Sequence, residues 1–164
     1  MKASTLIKIT QFPLIPNRIV KWINQNKNYI SYPDLPLIVS TSVCGFNRKF
    51  EIRNFQDLIQ SNIYFRGFYE IRESKIFKKI LKPGDTFIDV GANLGWYTVL
   101  AAKIVGSHGK VIALEPSNKV YSHLHRNIEI NSLTNVQLEK IALSDTNGTA
   151  SFSGITEINQ GIGS

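Results

Sequence analysis

Cysteine is almost absent from this chain, because its 164 residues include only one, Cys44. A single thiol excludes an intrachain disulfide and leaves no second cysteine for a thiolate metal cluster, which fits a reducing compartment. A free cysteine is more often a packed apolar side chain than a nucleophile. The sequence therefore predicts no metal site, and it gives Cys44 no chemical role.

Long apolar runs are also missing. No stretch approaches the ~20 consecutive apolar residues that a membrane-spanning helix needs. Residues 1–20 contain apolar patches, but Lys8, Pro13, Pro16 and Arg18 interrupt them, so the continuous apolar region of a secretory signal is absent. We therefore predict a cytoplasmic protein without a transmembrane segment.

Acidic residues are scarce in the first half of the chain. Residues 1–82 hold fourteen Lys and Arg against five Asp and Glu, whereas residues 83–164 hold five against seven. The basic excess could meet phosphorylated substrates, nucleic acid or a membrane surface, but a solvated surface is the more ordinary reading. No interleaved aromatic and basic motif is present, so we expect no nucleic acid partner.

The N-terminal region predicts a small extension over residues 1–67, built from a helix and a hairpin. A helix is expected from Asn17 to Asn26, after Pro16 and with an apolar face. Strands at Leu37–Val43 and Arg48–Arg53 form the hairpin. A further helix, from Phe68 to Leu81, ends at a Pro-Gly pair and opens the main domain, residues 68–164.

The rest of the chain alternates between strand and helix patterns, which predicts an α/β fold with parallel strands and right-handed crossovers. Residues after 145 are rich in turns, with Thr149 to Ser153 as one more strand candidate. The predicted strands are Thr86–Val90, Lys110–Leu114 and Val136–Ala142, and the helices between them are Trp96–Val105 and Asn118–Asn131.

A glycine turn joins the first of these strands to its helix. Gly91 and Gly95 lack a Cβ, so they permit unusual dihedral angles and the close approach of a ligand. Asn93 between them tolerates a left-handed conformation. The amides at the start of the helix are expected to be free donors for a carboxylate or phosphate.

Two carboxylates stand at the ends of neighbouring strands. Asp89 closes the first strand, where it can pair with a cationic group such as an ammonium. Glu115 follows the second strand, where a carboxylate can accept two hydrogen bonds from a ribose diol. Pro116 fixes the turn behind it. Together, the glycine turn and Glu115 predict a nucleotide-type cofactor site.

The pattern of the turn discriminates between cofactors. A dinucleotide fingerprint requires a glycine two residues after Gly91, and this chain has Asn93 there. A nucleotide-dependent oxidoreductase is therefore a weak alternative. An acidic strand end followed by Gly-x-Asn-x-Gly instead resembles motif I of class I S-adenosylmethionine-dependent methyltransferases.

The resemblance extends to one family, the FkbM-type methyltransferases. It is carried by the run from Lys82 to Thr98, by Gly109 to Ser117, by His125 to Asn131, by Ile141 to Asp145, and by the pair Tyr69-Glu70. This similarity implies a Rossmann-like class I methyltransferase fold, S-adenosyl-L-methionine as cofactor, and O-methylation of a sugar, glycan or small secondary metabolite.

The resemblance also implies roles for individual residues. Asp89 would lie near the cofactor's amino group, directly or through water, and Glu70 could face the cofactor or be an ordinary solvated carboxylate. Glu115 would hold the ribose hydroxyls. Residues implied to wrap the methionine part are Gly91, Ala92, Asn93 and Gly95; those beside the adenosine are Pro116 and Ser117; and those flanking the adenine are Ile141 and Ala142.

The family's fourth strand, which resembles Lys-Ile-Asp-Val-Glu-Gly and carries residues next to the transferred methyl group, has no counterpart before Ser164. The catalytic residues are therefore unknown, and we expect an incomplete fold of about three parallel strands, from a truncated sequence or a split or decayed gene. A remnant that binds cofactor without catalysis stays open. The three histidines, His108, His123 and His125, form no same-face metal pair.

Overall fold

A computed structural model of the chain describes residues 6–8, 18, 33–146 and 148. The described residues up to Tyr69 form one compact unit, and those from Glu70 onward form a second. Of the predicted helix Asn17–Asn26 only Arg18 is described, and it is helical; the rest of that helix and the strand candidate Thr149–Ser153 lie outside the described residues.

The N-terminal unit contains a three-stranded mixed sheet. Its strands are β1 (Leu6–Lys8), β2 (Leu37–Val43) and β3 (Phe46–Ile52), in the order β1-β2-β3. β1 runs parallel to β2, and β2 pairs antiparallel with β3. The predicted hairpin is confirmed, but its turn is shorter than expected. Cys44 and Gly45 both adopt positive φ angles (58° and 84°), which reverses the chain within two residues.

Helix α1 (Leu58–Arg66) was not predicted from the sequence. Asp57 caps its start by accepting a hydrogen bond from the Gln60 amide at 2.8 Å. Gly67, with φ 75°, ends it. An Asp followed three residues later by Gln, and a Gly nine residues after the first helical residue, are start and stop signals that the sequence did contain. The helix packs against β2 and β3.

The second unit begins with α2 (Ile71–Ile80). The sequence predicted this helix from Phe68, and the start is wrong because Glu70 adopts a left-handed conformation with φ 42°. The turn that follows α2 is hydrogen-bonded to the end of the helix that ends at Val105, since the Gly84 amide donates to the Val105 carbonyl at 2.8 Å.

A parallel sheet follows, as predicted. Its strands are β4 (Thr86–Val90), β5 (Lys110–Leu114) and β6 (Val136–Glu139), in the order β4-β5-β6, and its helices are α3 (Trp96–Val105) and α4 (Asn118–Ile130). The predicted extension of β6 to Ala142 is wrong. The Glu115 amide donates to the Glu139 carbonyl at 3.0 Å, and Pro116 then has no amide with which to continue the ladder.

The core of this unit lies between the sheet and its helices. Buried residues of α4 pack on the glycine turn and β5, and those of α3 pack on β5; the two clusters are Ala92, Ala113, Leu124 and Ile128, and Ala101, Ala102, Val105 and Val111. On β4, Ile88 and Val90 are each 56% exposed. The fold is thus a partial Rossmann-like α/β sheet. None of the described helices has the length and apolarity needed to cross a membrane.

Candidate cofactor site at the carboxyl edge of the parallel sheet

The glycine turn between β4 and α3 consists of residues 91–95. Gly91, Asn93 and Gly95 have φ angles of 73°, 50° and 93°, so this turn contains three left-handed residues. A Cβ added at Gly95 would lie 2.6 Å from Leu124 Cδ1, which explains how α4 approaches the turn so closely. A Cβ at Gly91 would meet nothing within 4 Å. The exposed Gly91 backbone therefore borders open space that a ligand can use.

Every backbone amide of the glycine turn already has an acceptor within the protein. The bonds are Gly91 and Ala92 to the Leu114 carbonyl at 3.0 Å, Asn93 to Glu115 Oε2 at 3.0 Å, Leu94 to Asn93 Oδ1 at 2.7 Å, and Gly95 to the Ala92 carbonyl at 2.9 Å. The five amides of the turn are therefore not available to a ligand, and the expectation of donors at the start of α3 stays a prediction. A site of this kind does not cradle a phosphate with its loop amides, as dinucleotide-binding turns do.

Glu115 follows β5 directly, and its carboxylate connects the glycine turn to the loop that begins α4. Its Oε2 accepts the Asn93 amide, and its Oε1 accepts the Ser117 amide at 3.0 Å. The residue is only 7% exposed. Each carboxylate oxygen has a second lone pair, so Glu115 retains the capacity to accept two further hydrogen bonds from a ligand.

Asp89 is the fourth residue of β4 and is buried. Its Oδ2 accepts the Thr98 hydroxyl at 2.5 Å. Burial raises the pKa of this carboxyl above its usual range, hydrogen bonds from the Thr98 side chain and backbone oppose the shift, and the nearby Glu115 charge adds to it. Asp89 thus holds the first turn of α3 in place, and Thr98 is a supporting residue that the sequence did not reveal.

Asn127, on α4, holds the glycine turn through a hydrogen bond. Its side-chain amide donates to the Leu94 carbonyl at 2.7 Å, and the residue is fully buried. An asparagine near the end of a helix is ordinarily expected to act in capping or in a turn. Asn131 does cap α4, through the Asn127 carbonyl at 2.7 Å, but Asn127 itself crosses to the glycine turn. Asn127 and Leu94 are 33 residues apart along the chain, so their contact leaves no signal in the local sequence.

A second support comes from α2. The Tyr97 hydroxyl donates to Glu70 Oε2 at 2.5 Å, and the Trp96 indole donates to the Ser74 hydroxyl at 3.1 Å. The Tyr97 ring stacks on Phe77 with a centroid distance of 4.6 Å. The first turn of α2 is therefore fastened to the first turn of α3, immediately after the glycine turn.

The remaining predicted site residues differ in accessibility. The Ala92 side chain is buried in the core, so only its backbone can face a ligand. Pro116 and Ser117 are half-buried, while Ile141 and Ala142 are exposed beyond the end of β6. His108 and His125 are exposed, and the buried His123 is separate from them. Within the described residues, no group of three His, Cys, Asp or Glu side chains could hold a metal ion.

The arrangement fits a ligand with one end at Gly91 and a diol at Glu115. Open space at Gly91 and the spare acceptor capacity of Glu115 suit such a ligand, whereas the satisfied amides of the turn do not suit a pyrophosphate. This combination matches the chemistry of a nucleoside carrying an uncharged or cationic substituent.

Comparison with known proteins identifies the family. The family model described as Protein-L-isoaspartate(D-aspartate) O-methyltransferase matches residues 72–156, just over half of the 164-residue chain. The chain belongs to this methyltransferase family. It is a class I S-adenosylmethionine-dependent family.

Individual relatives cover parts of the chain. A stretch of 69 residues is 39% identical to a Sulfolobus acidocaldarius protein named "Probable cobalt-precorrin-6B C(15)-methyltransferase (decarboxylating)", and it covers 42% of this chain and 36% of that protein. A solved SAM dependent methyltransferase from Aquifex aeolicus is 30% identical, with a TM-score of 0.40, over 49% of this chain and 41% of that chain.

The M. jannaschii TYW2 structure, solved in complex with AdoMet, is 24% identical, with a TM-score of 0.45, over 71% of this chain and 47% of that chain. The chain thus spans less than half the length of each of these proteins.

Proposed function

We propose that this chain is the cofactor-binding part of an S-adenosyl-L-methionine-dependent O-methyltransferase. We further propose the FkbM type that its sequence resembles, with a sugar, glycan or small secondary metabolite as acceptor and the cytoplasm as location. Membership of a methyltransferase family supports the reaction class. The family description names an O-methyltransferase, which supports oxygen as the acceptor atom.

The observation that carries the choice of cofactor is the set of satisfied amides in the glycine turn. Because residues 91–95 donate all their backbone hydrogen bonds within the protein, they cannot serve a pyrophosphate. S-adenosylmethionine has no phosphate, and it supplies a methyl group on a sulfonium that a nucleophilic oxygen can take. This argues against the nucleotide-dependent oxidoreductase.

Each residue of the site then has a role in holding the cofactor. Gly91 and Gly95 would allow the methionine part to lie against the backbone, and Glu115 would accept the ribose hydroxyls. Asp89 is buried and bonded to Thr98, so its contact with the amino group would pass through water. The adenine would lie against the exposed Ile141 and Ala142, and Pro116 and Ser117 would lie alongside the adenosine.

Calorimetric titration of the full chain tests the cofactor. S-adenosylmethionine and S-adenosylhomocysteine should bind, and NAD should not. Binding of NAD without either sulfur ligand would overturn the proposal. Replacing Glu115 with Ala should weaken binding by about 1–3 kcal/mol, because charge-assisted hydrogen bonds to the ribose are lost. Unchanged affinity would make Glu115 a purely structural residue.

A cofactor-binding chain without catalytic activity is the alternative, because no acceptor-side group has been assigned. Methyl transfer from radiolabelled cofactor to a panel of sugars distinguishes the two. An isoaspartyl peptide belongs in the panel, since the matching family is described by that acceptor. Cofactor binding without transfer to any acceptor would favour the alternative.

A further inference from the structure

The backbone of Glu70 is unusual among the described residues. Four residues other than glycine have φ in the left-handed region: Cys44, Glu70, Asn93 and Ser132. Cys44 turns the hairpin, Asn93 lies in the glycine turn, and Ser132 ends α4. Glu70 instead begins a helix, where the first flanking residue ordinarily has an extended conformation. A residue with a Cβ is strained there.

Several hydrogen bonds hold Glu70 in this conformation. The Ser74 amide and hydroxyl donate to the Glu70 carbonyl at 3.0 and 2.9 Å, and Ser74 is fully buried. The Trp96 indole in turn donates to the Ser74 hydroxyl. The Tyr97 hydroxyl donates to Glu70 Oε2. The carboxylate is thus fixed beside the first turn of α3, at the edge of the sheet that carries the glycine turn.

Three carboxylates lie at this edge, and they differ in what they can offer a ligand. Asp89 is buried against Thr98, and both oxygens of Glu115 accept loop amides. Glu70 is exposed, and within the described part of the chain its Oε1 receives no hydrogen bond. Of the three carboxylates it is therefore the most accessible to a cation.

We propose that Glu70 is a ligand-binding residue whose carboxylate accepts a hydrogen bond from the α-ammonium of S-adenosylmethionine, with Tyr97 as the residue that orients it. This rests on the proposed function and adds the residue that precedes α2 to the site. The strained backbone of Glu70 is then explained, because an unstrained start of α2 would direct the carboxylate elsewhere. Residues strained in this way are concentrated at ligand sites.

Calorimetry of the full chain with two ligands tests this inference. S-adenosylhomocysteine carries the ammonium, and 5′-methylthioadenosine lacks it. Glu70→Gln should weaken binding of the first by about ten- to a hundredfold and leave the second unchanged, because only one ligand loses a charged hydrogen bond. Glu73→Gln, an exposed carboxylate in the first turn of the same helix, is the control and should alter neither affinity.

Tyr97→Phe should weaken S-adenosylhomocysteine binding less than Glu70→Gln does, because the ring stack with Phe77 remains. Glu70→Gly removes both the carboxylate and the strain. It should bind S-adenosylhomocysteine as weakly as Glu70→Gln, yet melt about 4 °C or more above it, since glycine adopts positive φ without strain. This pair of variants separates ligand binding from stability.

The outcomes are distinct. If wild type binds S-adenosylhomocysteine and Glu70→Gln binds it equally well, the inference is overturned and the proposed function stands. If Glu70→Gln weakens both ligands alike, the residue acts on the fold rather than on the ammonium, and the inference again fails. If wild type binds neither ligand, the proposed function itself is wrong.

Discussion

Asp89 and Thr98 form a buried polar pair at the candidate site. Thr98 is fully buried, and its hydroxyl donates a hydrogen bond to the Asp89 carboxyl, whose pKa burial raises. A buried carboxylate without that hydrogen bond would be left partly unsatisfied, which is costly. The pair therefore links the stability of the second unit to the geometry of the cofactor edge.

Replacing Thr98 with Val should destabilise the protein by about 1–3 kcal/mol at neutral pH, because a buried acceptor loses its donor while the side-chain volume is kept. Urea unfolding followed by circular dichroism measures the change. Thr86→Val, at an exposed position of β4, is the matched control and should be nearly neutral. Equal effects of the two substitutions would contradict the role of the pair.

Asp89 also predicts a pH dependence. Its folded-state pKa lies above the ordinary 3.8, so the folded protein binds the proton more tightly than the unfolded chain does. Its contribution is therefore fully present below pH 3.8 and is lost as the pH rises through the folded pKa. Asp89→Asn has no such loss. The free energy of unfolding of Asp89→Asn minus that of wild type should increase from about pH 3 to pH 7. A constant difference would contradict this.

At the scale of elements, the local signals account for most of the second unit. The strands β4 and β5 and the helix α3 between them follow from apolar periods and glycine stops, so their bounds were predicted well. The start of α2 and the end of β6 were not predicted correctly. The left-handed backbone of Glu70 determines where α2 begins, and the absence of an amide at Pro116 determines where β6 ends. Neither effect has a signal in the periodicity.

The site residues likewise divide into those that have a signal in the sequence and those that have none. Gly91, Gly95 and Glu115 could be proposed from the sequence because their residue types and spacing follow a pattern, and their contact with a cofactor stays a prediction. Thr98 and Asn127 were not recognised, since their roles depend on tertiary contacts across the helices. Whether Ile141 and Ala142 contact the adenine stays a prediction.

Gly91 and Gly84 make a matched pair of substitutions. Both have positive φ (73° and 90°) and open space where a Cβ would be. Alanine at either position should therefore cost about 1–2 kcal/mol of stability. Only Gly91→Ala should also weaken S-adenosylhomocysteine binding, since Gly84 precedes β4 at the opposite edge of the sheet. Calorimetry and thermal unfolding measure both effects, and equal binding losses would place the ligand elsewhere.

The cap of α1 predicts an effect in the N-terminal unit. Asp57→Ala should destabilise that unit by about 1 kcal/mol, because the Gln60 amide loses its acceptor. Asp57→Asn keeps an oxygen at the same place and should retain most of the stability. Urea unfolding of the two variants measures the difference. A loss in Asp57→Asn equal to that in Asp57→Ala would show that the charge rather than the cap matters.

At the scale of the whole molecule, the parallel sheet is unevenly covered. Buried residues such as Val111 lie against helices, whereas Ile88 and Val90 on β4 are more than half exposed. A surface of this kind contributes little to stability in the chain as it stands, and it is an edge at which association can begin.

Val90→Thr should therefore change the free energy of unfolding by less than about 0.5 kcal/mol, as expected for an exposed position. Val111→Thr, a fully buried position in the neighbouring strand, should cost about 1–3 kcal/mol, because it buries a hydroxyl. Urea unfolding measures both. A large cost for Val90→Thr would mean that the β4 face is covered in solution, and sedimentation velocity would then reveal an associated species.

The hydrogen bonds made by Glu115 have a consequence for how the site could be passed between genes. The glycine turn, Glu115 and Ser117 are joined by hydrogen bonds, and Asp89 accepts the Thr98 hydroxyl, all within a single strand-helix-strand stretch. A recombination event that breaks the gene on either side of residues 86–117 would leave this set of contacts intact. The same stretch could be transplanted as one cassette, whereas Glu70 and Asn127, which lie outside it, would have to be supplied by the new host.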